Sequence, residues 1–130
     1  FKFFYRLLMA FSEHLYRIVS SNITENSFVT ALQLNADDPI YEGHFPVQSI
    51  TPGVVQMAIV KELLANHLQV ELALLKMNNC KFLAVLNPDL INKVSVCIDY
   101  IQVDKSISVK AVIQTPEQVY LKLKATYCLV

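Results

Sequence analysis

From Val94 to Leu129 the chain alternates apolar and polar residues with a period of two. Val94, Val96, Ile98 and Tyr100 fall on one side of this pattern, then Ile107, Val109, Ala111 and Ile113, then Val119, Leu121, Leu123, Ala125, Tyr127 and Leu129. Successive side chains of a strand point to opposite faces, so each set predicts a strand with one buried face. Asp104-Lys105 and Thr115-Pro116-Glu117 are short polar connections of the kind that join antiparallel neighbours. Upstream, Leu15 to Ile23 and Ser27 to Leu34 predict two more strands, paired as a hairpin around Thr24-Glu25-Asn26. Asn35 to Pro39 breaks the pattern with Asn, two Asp and Pro. Met77 to Leu86 predicts a further strand, closed by Asn87-Pro88-Asp89. Phe1 to Phe11 is rich in aromatic and large apolar residues, and its spacing fits a helix and an extended lead-in equally well.

One segment has a different pattern. Thr51 suits an N-cap, Pro52 the first helical position, and no further Pro or Gly occurs until Pro88, so a helix is predicted from there to about His67. Its first two turns, Val54, Val55, Met57, Ala58, Ile59 and Val60, are apolar almost all round, with Gln56 the one polar interruption. A helix of that kind is buried on most sides. Lys61, Glu62, Asn66 and His67 restore polarity later, which predicts a helix that starts inside the fold and ends at its surface. A long antiparallel sheet with one apolar helix packs by curling around it, an α+β arrangement in a single domain over residues 1–130.

Composition narrows the classes of function. The 130 residues are 54% hydrophobic and 17% charged, and formal charge is zero. Nine lysines and two arginines are scattered singly along the sequence, which argues against nucleic acid as a partner. The apolar runs are too short to span a bilayer, and none has the basic start and cleavage site of a signal peptide. Cys80, Cys97 and Cys128 are odd in number and far apart, which favours reduced thiols and a cytoplasmic location over a disulfide or metal framework. No metal or cofactor is expected. Ile40, Tyr41, Phe45 and Ile50 would form exposed apolar patches unless covered, which points mildly to self-association.

The chemistry concentrates in residues 42–53, Glu-Gly-His-Phe-Pro-Val-Gln-Ser-Ile-Thr-Pro-Gly. His44 stands in a loop shortly before a Pro-Gly pair that opens the apolar helix. The free N–H groups of a helix start beside an imidazole suit chemistry at a carbonyl. Taken alone, His44 could equally be a loop histidine bonded to backbone, and Gly53 a residue needed for close packing. Gln56 could be a buried amide bonded to a neighbouring loop. His14 and His67 lack such surroundings and are expected at the surface or on strands. Tyr120, Lys122 and Lys124 are expected on a solvated strand face, and Met9, Met57 and Met77 as core filler.

Gly-His-Phe-Pro, a Pro-Gly beginning eight residues after the histidine and an apolar helix followed by a strand meander resemble the hot-dog-fold 3-hydroxyacyl-acyl-carrier-protein dehydratases (FabZ/FabA-like). The similarity runs from about Leu15 to the end. It implies a hot-dog fold, with an antiparallel sheet wrapped around one long central helix. His44 would be the base that removes a proton from C2 of the acyl thioester. Gly53 would offer its amide to the thioester carbonyl, and Phe45, Pro46, Val54, Gln56, Met57 and Ala58 would line the substrate. The resemblance also implies an acyl carrier protein or coenzyme A thioester as partner, and a homodimer or higher oligomer with sites at the subunit interface. An acidic carrier could meet Arg17, Lys76, Lys81 or Lys93, and sequence position selects none of them.

The chain departs from that family at one decisive place. The helix acid expected fourteen residues after the histidine is Ala58, which has no proton to give a departing hydroxyl. Glu62 sits about 40° further round and about 6 Å further along, beyond the reach wanted of a catalytic acid. Val47 and Ser49 replace a loop glycine and proline of the pattern. The reading leans to a hydro-lyase on 3-hydroxyacyl thioesters in fatty acid or related lipid or polyene synthesis. A catalytically weakened acyl-binding or heterodimer-supporting relative is the alternative, and an acyl thioesterase a weaker one.

Overall fold

The computed structural model describes residues 14–41 and 50–130. The Phe1 to Phe11 segment and the loop residues His44, Phe45 and Pro46 lie outside them. Six strands and one long helix follow in the order β1 (Tyr16–Ile23), β2 (Ser27–Leu34), α1 (Gly53–Leu68), β3 (Leu72–Phe82), β4 (Lys93–Val103), β5 (Ser106–Gln114) and β6 (Val119–Leu129). A short 3-10 turn, Pro39–Tyr41, precedes the 42–49 loop. All neighbours in the sheet are antiparallel, in the order β1-β2-β4-β5-β6-β3.

The period-two residues face one core. Val94, Val96, Ile98, Ile107, Val109, Ala111, Ile113, Leu121, Leu123, Ala125 and Tyr127 are all buried, together with Phe28, Leu32 and Leu34 of β2. Against them pack Val55, Ile59, Val60, Leu63 and Leu64 of α1. The sheet therefore covers the apolar helix, the hot-dog arrangement that the loop motif implies. At its far end α1 stops on Gln69, whose left-handed φ of 56° turns the chain while its N–H and that of Val70 return to the carbonyls of Asn66 and Ala65.

The structure corrects several expectations. The strand predicted from Met77 to Leu86 runs instead from Leu72 to Phe82. The left-handed stop at Gln69 lets pairing with β6 begin at once, with Leu72 opposite Leu129. Leu86 leaves the sheet and plugs the core at 1% exposure. Tyr120, expected on a solvated face, is buried near the start of β6, where its carbonyl accepts the N–H of Leu83 from the segment after β3. Tyr41 is also buried, and the exposed apolar residues include Ile18, Val19 and Ile23 on β1, Ile101 and Val103 on β4, and Leu74, Leu75, Leu83, Val85 and Leu90 on β3 and just after it. Val54, expected inside, is 73% exposed at the start of α1. Among the described residues no helix is long and apolar enough to cross a membrane.

Candidate functional site

The flanks of the 42–49 loop are pinned together. Tyr41 and Thr51 place their hydroxyls 2.9 Å apart in a buried hydrogen bond, and the Thr51 N–H donates to the Leu86 carbonyl at 2.8 Å. Burial pushes the Tyr41 phenol above its usual pKa. Before the loop, the buried carboxylate of Asp38 accepts the Ile40 N–H at 2.9 Å and bonds the His14 ring. His14 thus anchors the entry to the loop by way of Asp38.

Thr51 is not the N-cap. Its hydroxyl is committed to Tyr41, and Pro52 takes the cap position with extended backbone and no side-chain capping bond. The first helical hydrogen bonds are those of Val55 and Gln56 to the Pro52 carbonyl. The N–H groups of Gly53 and Val54 have no carbonyl ahead of them within the helix. No acidic side chain occupies the first turn to compete for them.

Gly53 has a second, steric role. A Cβ built there would lie 2.6 Å from Cζ and 2.9 Å from Cε1 of Phe82. Only glycine lets that ring lie against the helix start, and Phe82, at the end of β3, had no mark in the sequence beyond being aromatic. One turn in, Gln56 is 3% exposed. Its Nε2 donates to the Thr51 carbonyl at 3.1 Å, which fixes the amide orientation, since the opposite flip would set two carbonyl oxygens together. Its Oε1 is buried without a hydrogen-bond partner. Such an acceptor costs about 1–3 kcal/mol unless something supplies a donor.

Met57 and Ala58 are half-buried on the same stretch of helix. Glu62 is buried one turn beyond Ala58 and accepts the hydroxyl of Tyr16 from β1. Burial and that carboxylate drive the Tyr16 phenol far above its usual pKa. His67 lies at the opposite end of α1, stacked on Phe28 at 4.2 Å and 3.3 Å from the Tyr100 hydroxyl. The structure therefore sets Phe82 against Gly53 and places Gln56, Met57 and Ala58 in the helical turn that follows, leaves Val54 exposed, and keeps His67 at the far end of α1 and His14 on Asp38. Among the described residues no cluster of His, Cys, Asp or Glu could hold a metal ion.

The family model described as ApeI dehydratase matches residues 20–121, most of the chain. The chain belongs to the ApeI-like dehydratase family. A sequence search of curated proteins finds no match. Among solved structures, the dehydratase heterocomplex ApeI:P from Xenorhabdus doucetiae is 20% identical over 87% of this chain and 97% of its own, with a TM-score of 0.72. A hypothetical thioesterase with coenzyme A from Streptococcus pneumoniae is 11% identical over 99% and 95%, at 0.67. A mutant thioesterase from Pseudomonas aeruginosa is 15% identical over 96% and 92%, at 0.58. Likenesses at these identities establish the hot-dog fold, which this ApeI-like chain shares with both dehydratases and thioesterases.

Proposed function

We propose that this ApeI-like chain acts on 3-hydroxyacyl thioesters at the start of α1, as a dehydratase of the FabZ/FabA type that lacks the helix acid. One observation carries the reading. Unpaired amide donors at Gly53 and Val54 and a buried, unpartnered acceptor at Gln56 lie within one turn of each other. A 3-hydroxyacyl thioester offers the complement of both, a carbonyl oxygen for the Gly53 amide and a hydroxyl proton for Gln56 Oε1.

In this reading the helix-start amide stabilises negative charge on the thioester oxygen while His44 takes the proton from C2. The C3–O bond then breaks, and the departing hydroxide is protonated through a water held by Gln56, which regains its own proton from the His44 imidazolium. The products are the 2-enoyl thioester and water. Phe45, Pro46, Met57 and Ala58 line the acyl chain, and the Ala58 methyl leaves space where a carboxyl would stand. The thioester is delivered on acyl carrier protein or coenzyme A.

Ala58 also supports a second reading, a weakened member that assists an active partner; the Xenorhabdus relative is itself part of a dehydratase heterocomplex. Hydration of crotonyl-coenzyme A separates the two. The enzyme reading expects activity in the wild type, lost in His44→Ala and reduced in Gln56→Ala. Activity gained only in Ala58→Glu would replace it with the assisting role. A thioesterase is less favoured, because the first carboxylate on α1 is Glu62, already engaged by Tyr16.

A further inference from the structure

We propose that the outer face of β5, β6 and β3 docks an acidic helix of a partner protein. These three adjacent strands contain five lysines, Lys76, Lys81, Lys110, Lys122 and Lys124, and not one Asp or Glu. The rest of the chain must then carry the balancing acids, since formal charge is zero. All five lysines are exposed, and none forms an ion pair among the described residues.

Register turns this composition into a surface. Lys110 stands directly opposite Lys124, and Lys122 directly opposite Lys81. Lys76 lies on the same face, opposite Thr126. Like charges in directly opposed cross-strand positions destabilise a sheet. Two such pairs side by side are a cost that a bound anion relieves. A groove of about 370 Å³ runs between them, lined by Asn79, Lys81, Lys110, Val112, Lys122 and Lys124.

The dimensions select the occupant. Strands are about 4.8 Å apart and alternate residues about 6.8 Å apart, so the core of the patch measures about 10 by 7 Å. Carboxylates at i and i+4 of a helix are about 6 Å apart along its axis and fit one such row after another. The patch is also bounded, since Asp99 stands opposite Lys110 and Glu25 lines the adjoining cleft. Those carboxylates oppose an extended polyanion such as duplex DNA or an anionic membrane, and leave a compact acidic helix favoured. The inference stands on the sheet alone and is independent of the reaction proposed at α1.

The probe is a labelled helical peptide with glutamates at every fourth position, followed by fluorescence anisotropy at low and high salt. Binding that weakens with salt and falls about tenfold or more in Lys110→Glu/Lys122→Glu is expected. Lys93→Glu and Lys105→Glu, outside the groove and its lysine pairs, should leave it within about twofold. The milder Lys110→Gln/Lys122→Gln, checked by circular dichroism for an intact fold, should show an intermediate loss. Absence of binding, equal binding of a proline-interrupted isomer of the peptide, or insensitivity to the lysine changes would overturn the proposal. So would tighter binding to a DNA duplex or phosphatidylglycerol vesicles, or self-association of the chain through this face.

Discussion

At Gly53 one missing methyl group decides both packing and exposure of the helix start. The Phe82 ring occupies the place of a side chain there, and it is 49% exposed, so it has room to swing out. Gly53→Ala is expected to cost roughly 1 kcal/mol by overpacking against that ring. In a Phe82→Ala background most of the cost should vanish, and urea unfolding of the four proteins of the cycle measures the coupling. Additive effects would show that the glycine is needed for some other reason. A second residue-level consequence concerns tyrosines. Burial raises Tyr127 to about 12, and Tyr16 is raised further by burial and by Glu62. Their stabilising share is complete below the unfolded pKa near 10. Above it the unfolded chain loses protons that the native state keeps, so stability falls as pH rises, by up to about 1.4 kcal/mol per pH unit for each tyrosine. Unfolding free energies from pH 9 to 11 should decline, and Tyr16→Phe should flatten the slope while lowering stability at neutral pH.

Element type was written plainly wherever periodicity was long. The meander β4-β5-β6 and the helix after Pro52 follow from spacing alone, and the β1-β2 turn from Thr24-Glu25-Asn26, whose Thr24 N–H meets the Ser27 carbonyl at 2.8 Å. β3 was displaced by five residues at its start because Leu72, Ala73, Leu74 and Leu75 form an unbroken apolar run without alternation, and the turn before them has no glycine. Gln69 makes that turn in the left-handed region instead. Gln69→Gly is therefore expected to stabilise the protein by about 0.5–1 kcal/mol, despite losing an exposed side-chain bond to the Asn66 carbonyl. Thermal unfolding checks it, and a lower Tm would show that the side-chain bond outweighs the backbone strain. The candidate site was legible only in part for a related reason. The motif marks Gly53 and Gln56 as positions on a helix start, whereas the Phe82 contact and the Tyr41–Thr51 clamp join residues from separate elements and leave no spacing to read.

The sheet as a whole ends on two outer strands, β1 with Ile18, Val19 and Ile23 exposed, and the longer β3. Among the described residues β3 is an outer strand of eleven residues with no neighbour beyond it, and it carries Leu74 and Leu75 at 46% and 63% exposure. Leu83, Val85 and Leu90 are exposed in the segment that follows, and Phe82 at the strand's end lies against the start of α1. A long apolar edge left open invites pairing with another chain. A second copy meeting β3 along this edge would cover Leu74 and Leu75, on the strand whose last residue, Phe82, lies against the Gly53 helix start. The expected state at micromolar concentration is thus a dimer, with hydration activity tied to it. Leu75→Lys puts a charge on the pairing edge without disturbing the core, and should shift sedimentation equilibrium to monomer and remove activity in the same concentration range. A wild type that sediments as a monomer while still active would separate the site from the edge, and would leave the β3 leucines to a different partner.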